Sequence, residues 1–155
     1  MAEERNIFIS HIHDDDEHVG KLKDLLADQG VIVRNGSITT EKFNEAKSEE
    51  YIKGEILVPR IDWASVLVVL VSKDTKESSW VNWEIEYADR TDTRIVVVYE
   101  HGEAGVELPA AATDYADAVV AWNGASIIEA INGANLWQDP NGSPRPAQQL
   151  KRHNC

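Results

Sequence analysis

Glu84 and Trp80, in the stretch Ser78-Ser79-Trp80-Val81-Asn82-Trp83-Glu84-Ile85, combine a carboxylate with an indole. Four residues apart, they share one face of a helix. The apolar run Val66-Leu67-Val68-Val69-Leu70-Val71-Ser72 just before them reads as a buried parallel strand. The helix therefore starts beside that strand's carboxyl end, where open α/β sheets hold their ligand crevices. An aromatic platform beside an acid at such a crevice suits a flat, cationic, sugar-linked substrate. Glu84 is also the kind of residue that usually sits solvated on a helix, and Trp80 and Trp83 are the kind that usually pack.

A second group of candidates, Ser10, His11 and Asp14, follows the first apolar run, Asn6 to Ser10. A loop after strand one can face the same crevice. Asp14, Asp15 and Asp16 have a competing reading as acids at the start of the first helix. The segment His11-Ile12-His13-Asp14-Asp15-Asp16-Glu17-His18 invites a metal reading, and it resembles the first motif of the metallo-β-lactamases. Asp16 stands where that motif has a histidine, and His101 and His153 lie in poor contexts, so no metal is expected. Ser37, Thr39 and Thr40 could contact a phosphate or simply solvate their loop. No Gly-x-Gly-x-x-Gly or Gly-Lys-Ser/Thr cradle occurs.

The elements that must position these residues fit one domain. A chain of 155 residues with 43% hydrophobic content is enough to bury a single core. The net charge of −12 repels phosphate backbones and anionic lipid, so neither nucleic acid nor membrane is an expected partner. Cys155 is the only cysteine, which excludes an intramolecular disulfide and any multi-cysteine zinc site. With no apolar segment near bilayer length and no signal-like start in Met1-Ala2-Glu3-Glu4-Arg5, a cytoplasmic protein is expected.

Asn6 to Ser10 reads as strand one. Val19, Leu22, Leu25 and Leu26 then recur at helical spacing up to Gly30, and Gly30 to Arg34 restarts as strand two. Strand, helix, strand in this order makes a βαβ unit in a parallel sheet. Asn35 to Lys47 is a long polar loop of the kind that is usually functional. A helix with Tyr51, Ile52, Ile56 and Leu57 on its apolar side should follow, with Pro59 near its end. Strand three, Val66 to Val71, lacks alternation and belongs in the sheet centre. Ser78 or Ser79 caps the next helix, whose inward stripe is Val81, Ile85 and Ala88. Arg94 to Tyr99 is strand four, Glu100 to Tyr115 reads as irregular, Ala118 to Trp122 is a short fifth strand, and Ser126 to Ile131 is a last helix. Past Leu136 the run Asp139-Pro140-Asn141-Gly142-Ser143-Pro144-Arg145-Pro146 has a linker's composition. The expected division is a domain over 1–135 and a C-terminal tail over 136–155.

Three pieces in this order carry a family likeness: Phe8-Ile9-Ser10-His11, Asp62-Trp63-Ala64-Ser65 leading into Val66 to Ser72, and Ser79-Trp80-Val81-Asn82-Trp83-Glu84-Ile85. Together they resemble the TIR and TIR-like domains, above all the bacterial TIR proteins of Thoeris anti-phage systems, over roughly residues 6 to 132. The resemblance implies a flavodoxin-like α/β fold, a five-stranded parallel sheet with helices on both faces. It implies cleavage of NAD+, as substrate rather than cofactor, at the nicotinamide–ribose bond. Glu84 matches the glutamate that family members with this activity carry on the third helix, and Trp80 matches the tryptophan four residues earlier. Ser10, His11, Asp14 and Asn35 become expected substrate contacts.

The resemblance also implies a cyclic or conjugated ADP-ribose-derived signal that activates a separate effector protein in anti-phage defence. Self-assembly through the Asn35 to Thr40 loop is implied too, since in TIR domains that loop gates the site and mediates head-to-tail contacts. TIR domains without the glutamate act as adaptors, which leaves an interaction module without turnover as the competing expectation. A metal-dependent hydrolase ranks behind both. A phospho-receiver domain shares the fold class, yet the lysine expected after a late strand is not evident.

Overall fold

The hexapeptide Val66–Val71 is buried at every position, as a β-branched run covered on both faces must be. It forms β3, the middle of a five-stranded, wholly parallel sheet of order β2-β1-β3-β4-β5. The computed structural model describes residues 3–11, 16–35, 58–73, 75, 78–100, 107–139 and 143–144. Within them β1 is Glu3–Ser10, α1 Asp16–Asp28, β2 Val31–Asn35, α2 Val58–Trp63, α3 Ser79–Arg90, β4 Arg94–Tyr99, α4 Ala110–Tyr115, β5 Ala118–Val120 and α5 Gly124–Ile131. This is the flavodoxin-like α/β arrangement. The strand order reverses between β1 and β3, which makes the carboxyl end of that pair the crevice of the fold.

Alternation along the strands divides the core in two. Phe8, Leu67, Val69, Val71, Ile95, Val97 and Tyr99 point to the side where Ile61 of α2, Val81, Ile85 and Ala88 of α3, and Ala111 and Ala112 of α4 pack. Ile7, Ile9, Val66, Val68, Leu70, Val96 and Val98 point the other way, against Val19, Leu22 and Leu26 of α1 and Ile127, Ala130 and Ile131 of α5. Gly30, two residues past the end of α1, adopts φ +87, a left-handed helix exit that a Cβ would strain.

Local chemistry sets the α3 boundaries. Ser78 is the N-cap and its side chain accepts from Val81 N at 3.2 Å. The Asn82 side chain donates to Ser78 O at 2.9 Å and accepts from Ala111 N at 3.0 Å, tying α3 to the start of α4. Arg94 at the start of β4 donates to Ala130 O and Ala134 O, each at 2.7 Å, covering carbonyls near the end of α5.

Three expectations change. Glu100 to Tyr115 is not irregular throughout: Ala110–Tyr115 is helical, its N-cap Pro109 followed by three alanines, the best helix formers. Val58–Trp63 is a helix of its own with Pro59 at its second position, where a missing N–H costs nothing; the helix expected over Tyr51, Ile52, Ile56 and Leu57 lies outside the described residues. The packed chain also runs past residue 135. Val119 N donates to Leu136 O at 2.8 Å and Gln138 N to Val119 O at 2.7 Å, and Trp137 is buried in the core. No helix among the described residues is long and apolar enough to cross a membrane.

Candidate active site at the end of strand one

Ser10 closes β1, and it shares the strand face of Phe8 because side chains two apart point the same way. That is the α3 side of the sheet. From α3, Glu84 reaches the same point, one position before the core residue Ile85. Ser10 Oγ donates to Glu84 Oε1 at 2.6 Å, with both side chains buried. The contact sits at the carboxyl edge of the β1–β3 pair, since Ser10 is in register with Val69 of β3.

Burial dominates the electrostatics of Glu84. Only 4% of the residue is exposed, and desolvation pushes its pKa up to about 8 while the Ser10 hydroxyl pulls the other way. A carboxyl group that titrates near neutrality in a crevice is characteristic of acid–base and charge-stabilising sites. Ser72 and Thr75 close the end of β3: Ser72 N donates to Thr75 Oγ1 at 2.8 Å, and both residues are buried.

The remaining candidates occupy different positions. His11 follows Ser10 directly, is half-buried, and donates from Nδ1 to Ile9 O at 3.0 Å. Trp80, one turn before Glu84, is partly buried and packs against the apolar cluster on the α3 side. Trp83 stacks on Tyr87 with centroids 5.5 Å apart. Asn35 ends β2 in register with Ile7, three strand residues or about 10 Å short of the level of Ser10; its side chain, like the whole of Asp14, Ser37, Thr39 and Thr40, lies outside the described residues. The structure therefore joins Ser10 to Glu84, sets His11 beside them, and leaves Asn35 at another level of the sheet.

Two described histidines of the His11 to His18 segment serve different partners. His18 Nδ1 lies 2.5 Å from Glu100 Oε1. Glu100 directly follows β4 and is 3% exposed. By strand parity with Val98 it faces α1, the opposite side of the sheet from Glu84. Its place directly after an apolar strand run was the signal available in sequence, masked by the glycines that follow it.

The family model for the TIR-like domain of the Thoeris protein ThsB matches residues 8–105, well over half of the chain. The chain belongs to the Thoeris ThsB TIR-like family. That match includes Ser10, Glu84 and Glu100, and ends before α4, β5 and α5. Among solved structures, a conserved protein from Enterococcus faecalis V583 is similar at 14% identity and a TM-score of 0.40, with 66% of each chain covered; the chain thus spans 66% of that protein's length. No curated protein matches.

Proposed function

We propose that this Thoeris TIR-like domain cleaves NAD+ between nicotinamide and ribose, with Glu84 as the catalytic carboxylate. The observation that carries the reading is the Ser10–Glu84 hydrogen bond, which holds a buried acid at the carboxyl edge of the sheet. The bond's electron pair leaves with the nicotinamide nitrogen, turning a cationic ring into a neutral molecule. No acid is needed for that departure, in contrast to the oxygen leaving groups of glycosidases. One ionised carboxylate facing the oxocarbenium-like ribose is enough, a preorganised charge of the kind that contributes most to catalysis.

Unliganded, Glu84 is largely protonated at pH 7 because its pKa is raised to about 8. The cationic nicotinamide ring of the substrate favours the ionised form, so binding and deprotonation are coupled. Ser10 acts as a positioning residue, holding one carboxylate oxygen and leaving the other for the ribose. His11, Asp14, Asn35 and Trp80 are proposed substrate contacts, Trp80 as a wall that stacks on nicotinamide or excludes water. The product is an ADP-ribose-derived signal, cyclic or conjugated, acting on a separate effector in anti-phage defence, and the domain self-assembles through the loop after β2.

The competing reading is an interaction module without turnover. It is favoured by the 4% exposure of Glu84, since a neutral acid bonded to Ser10 also serves as a strand-to-helix tie. Incubating concentrated protein with NAD+ and resolving products by liquid chromatography and mass spectrometry separates the two. Nicotinamide with an ADP-ribose-derived partner supports the enzyme; intact NAD+, with phage lysate added as well, supports the module.

A further inference from the structure

Glu100 is a buried carboxylate that the Ser10–Glu84 crevice does not use, because the sheet lies between them. The contact with His18 joins a buried side chain to a partly exposed one, and a polar pair of this kind is by itself weak evidence of stabilisation. With Nδ1 set against Glu100 Oε1 at 2.5 Å, the His18 ring turns Nε2 away from Glu100. His18 also lines an open cavity of about 350 Å³ together with Lys21, Asp24, Leu25, Asp28 and Trp122. That volume falls at the lower end of the range small-molecule sites occupy.

The lining has an order. On α1, residues 18, 21, 25 and 28 recur at helical spacing and form one stripe, distinct from the Val19, Leu22 and Leu26 stripe that packs on the sheet. Among the α1 residues that line the cavity, His18 and Lys21 come first, and the acids Asp24, beside the stripe, and Asp28, on it, come later. The helix rises about 15 Å from residue 18 to residue 28. Trp122 follows β5 at the carboxyl edge, is half-buried, and supplies an indole opposite the stripe. The Lys21 ammonium and the His18 ring at one end, an aromatic wall, and hydrogen-bond acceptors at the other end match an anionic group, a flat heterocycle and its amino or hydroxyl groups.

We infer that this cavity is a second ligand site, for a nucleoside monophosphate or a nucleotide of similar size: His18, positioned by Glu100, and Lys21 receive the phosphate, and the Trp122 indole receives the base. It is separate from the crevice at Glu84 and does not depend on the reaction proposed there.

Isothermal titration calorimetry with adenosine monophosphate tests it on the full chain. The site predicts saturable binding that is equal in wild type and Glu84→Gln and at least about tenfold weaker in Lys21→Glu and in Trp122→Leu, a loss of one good contact each. Lys21 is exposed, so its replacement leaves the core intact and keeps the result readable. Absence of saturable binding, or binding that survives both substitutions, overturns the proposal. Binding lost in Glu84→Gln but kept in Lys21→Glu and Trp122→Leu also overturns it, by assigning the nucleotide to the crevice.

Discussion

Ser10 and Glu84 stand 74 positions apart in sequence and 2.6 Å apart in space. The hydroxyl proton of Ser10 favours the ionised carboxylate, and the surrounding core opposes it more strongly, leaving Glu84 with a pKa of about 8. In the proposed reaction only the carboxylate is competent. The kcat/KM for NAD+, which reports the free enzyme, is therefore expected to rise with pH and level off above about 8. Ser10→Ala removes the group that lowers the pKa, so its limb moves to higher pH and its deficit is larger near neutrality than in alkali. A pH–rate series on both proteins checks this; a wild-type limb in the ordinary carboxylate range, or one that Ser10→Ala leaves in place, contradicts it.

The same raised pKa makes Glu84 a burden on stability. Between the ordinary 4.5 and about 8 the folded state keeps a proton that the unfolded state has released. Unfolding then releases a proton, and stability falls as pH rises through that window. The full loss above it is on the order of 5 kcal/mol, from the 1.36 kcal/mol that each unit carries. Glu84→Gln keeps the acceptor for Ser10 and removes the titration. Thermal unfolding is expected to show the two proteins alike near pH 4.5 and the variant melting roughly 10–20 °C higher at about pH 9. Equal melting temperatures at both pH values would rule out a buried, titrating Glu84.

Trp137 covers the core beside β5 and is 7% exposed. Trp137→Ala should cost about 3–5 kcal/mol, the usual loss for a buried indole. Denaturant unfolding measures it; a loss under about 1 kcal/mol, the scale of surface changes, would mean that the segment after residue 135 does not dock.

The sheet was readable because its central strands are apolar on both faces, so Val66–Val71 and Arg94–Tyr99 appear as runs without alternation. The α3 helix was readable from the Val81, Ile85 and Ala88 stripe and its serine cap; Glu84 stood out on it chiefly through the family likeness. The pairing of Ser10 with Glu84 was not readable. Ser10 entered as a substrate contact, and only the fold joins it to a helix 74 residues on; no local pattern encodes such a distant pairing. The pairing of Glu100 with His18 was hidden for the same reason. Pro109 and the nearby glycines concealed a short alanine helix, and the Pro- and Gly-rich segment after Asp139 concealed how firmly Trp137 is held.

The central claim is that Glu84 performs the cleavage, and the direct measurement is the rate of nicotinamide release from NAD+ by wild type and Glu84→Gln, at matched concentration and about pH 8. Release by wild type is expected, with a loss of roughly 100-fold or more in the variant, the scale of removing a preorganised charge-stabilising group, and the variant folded and at least as stable. Equal rates in the two proteins, or no release by wild type under any infection-derived stimulus, would contradict it.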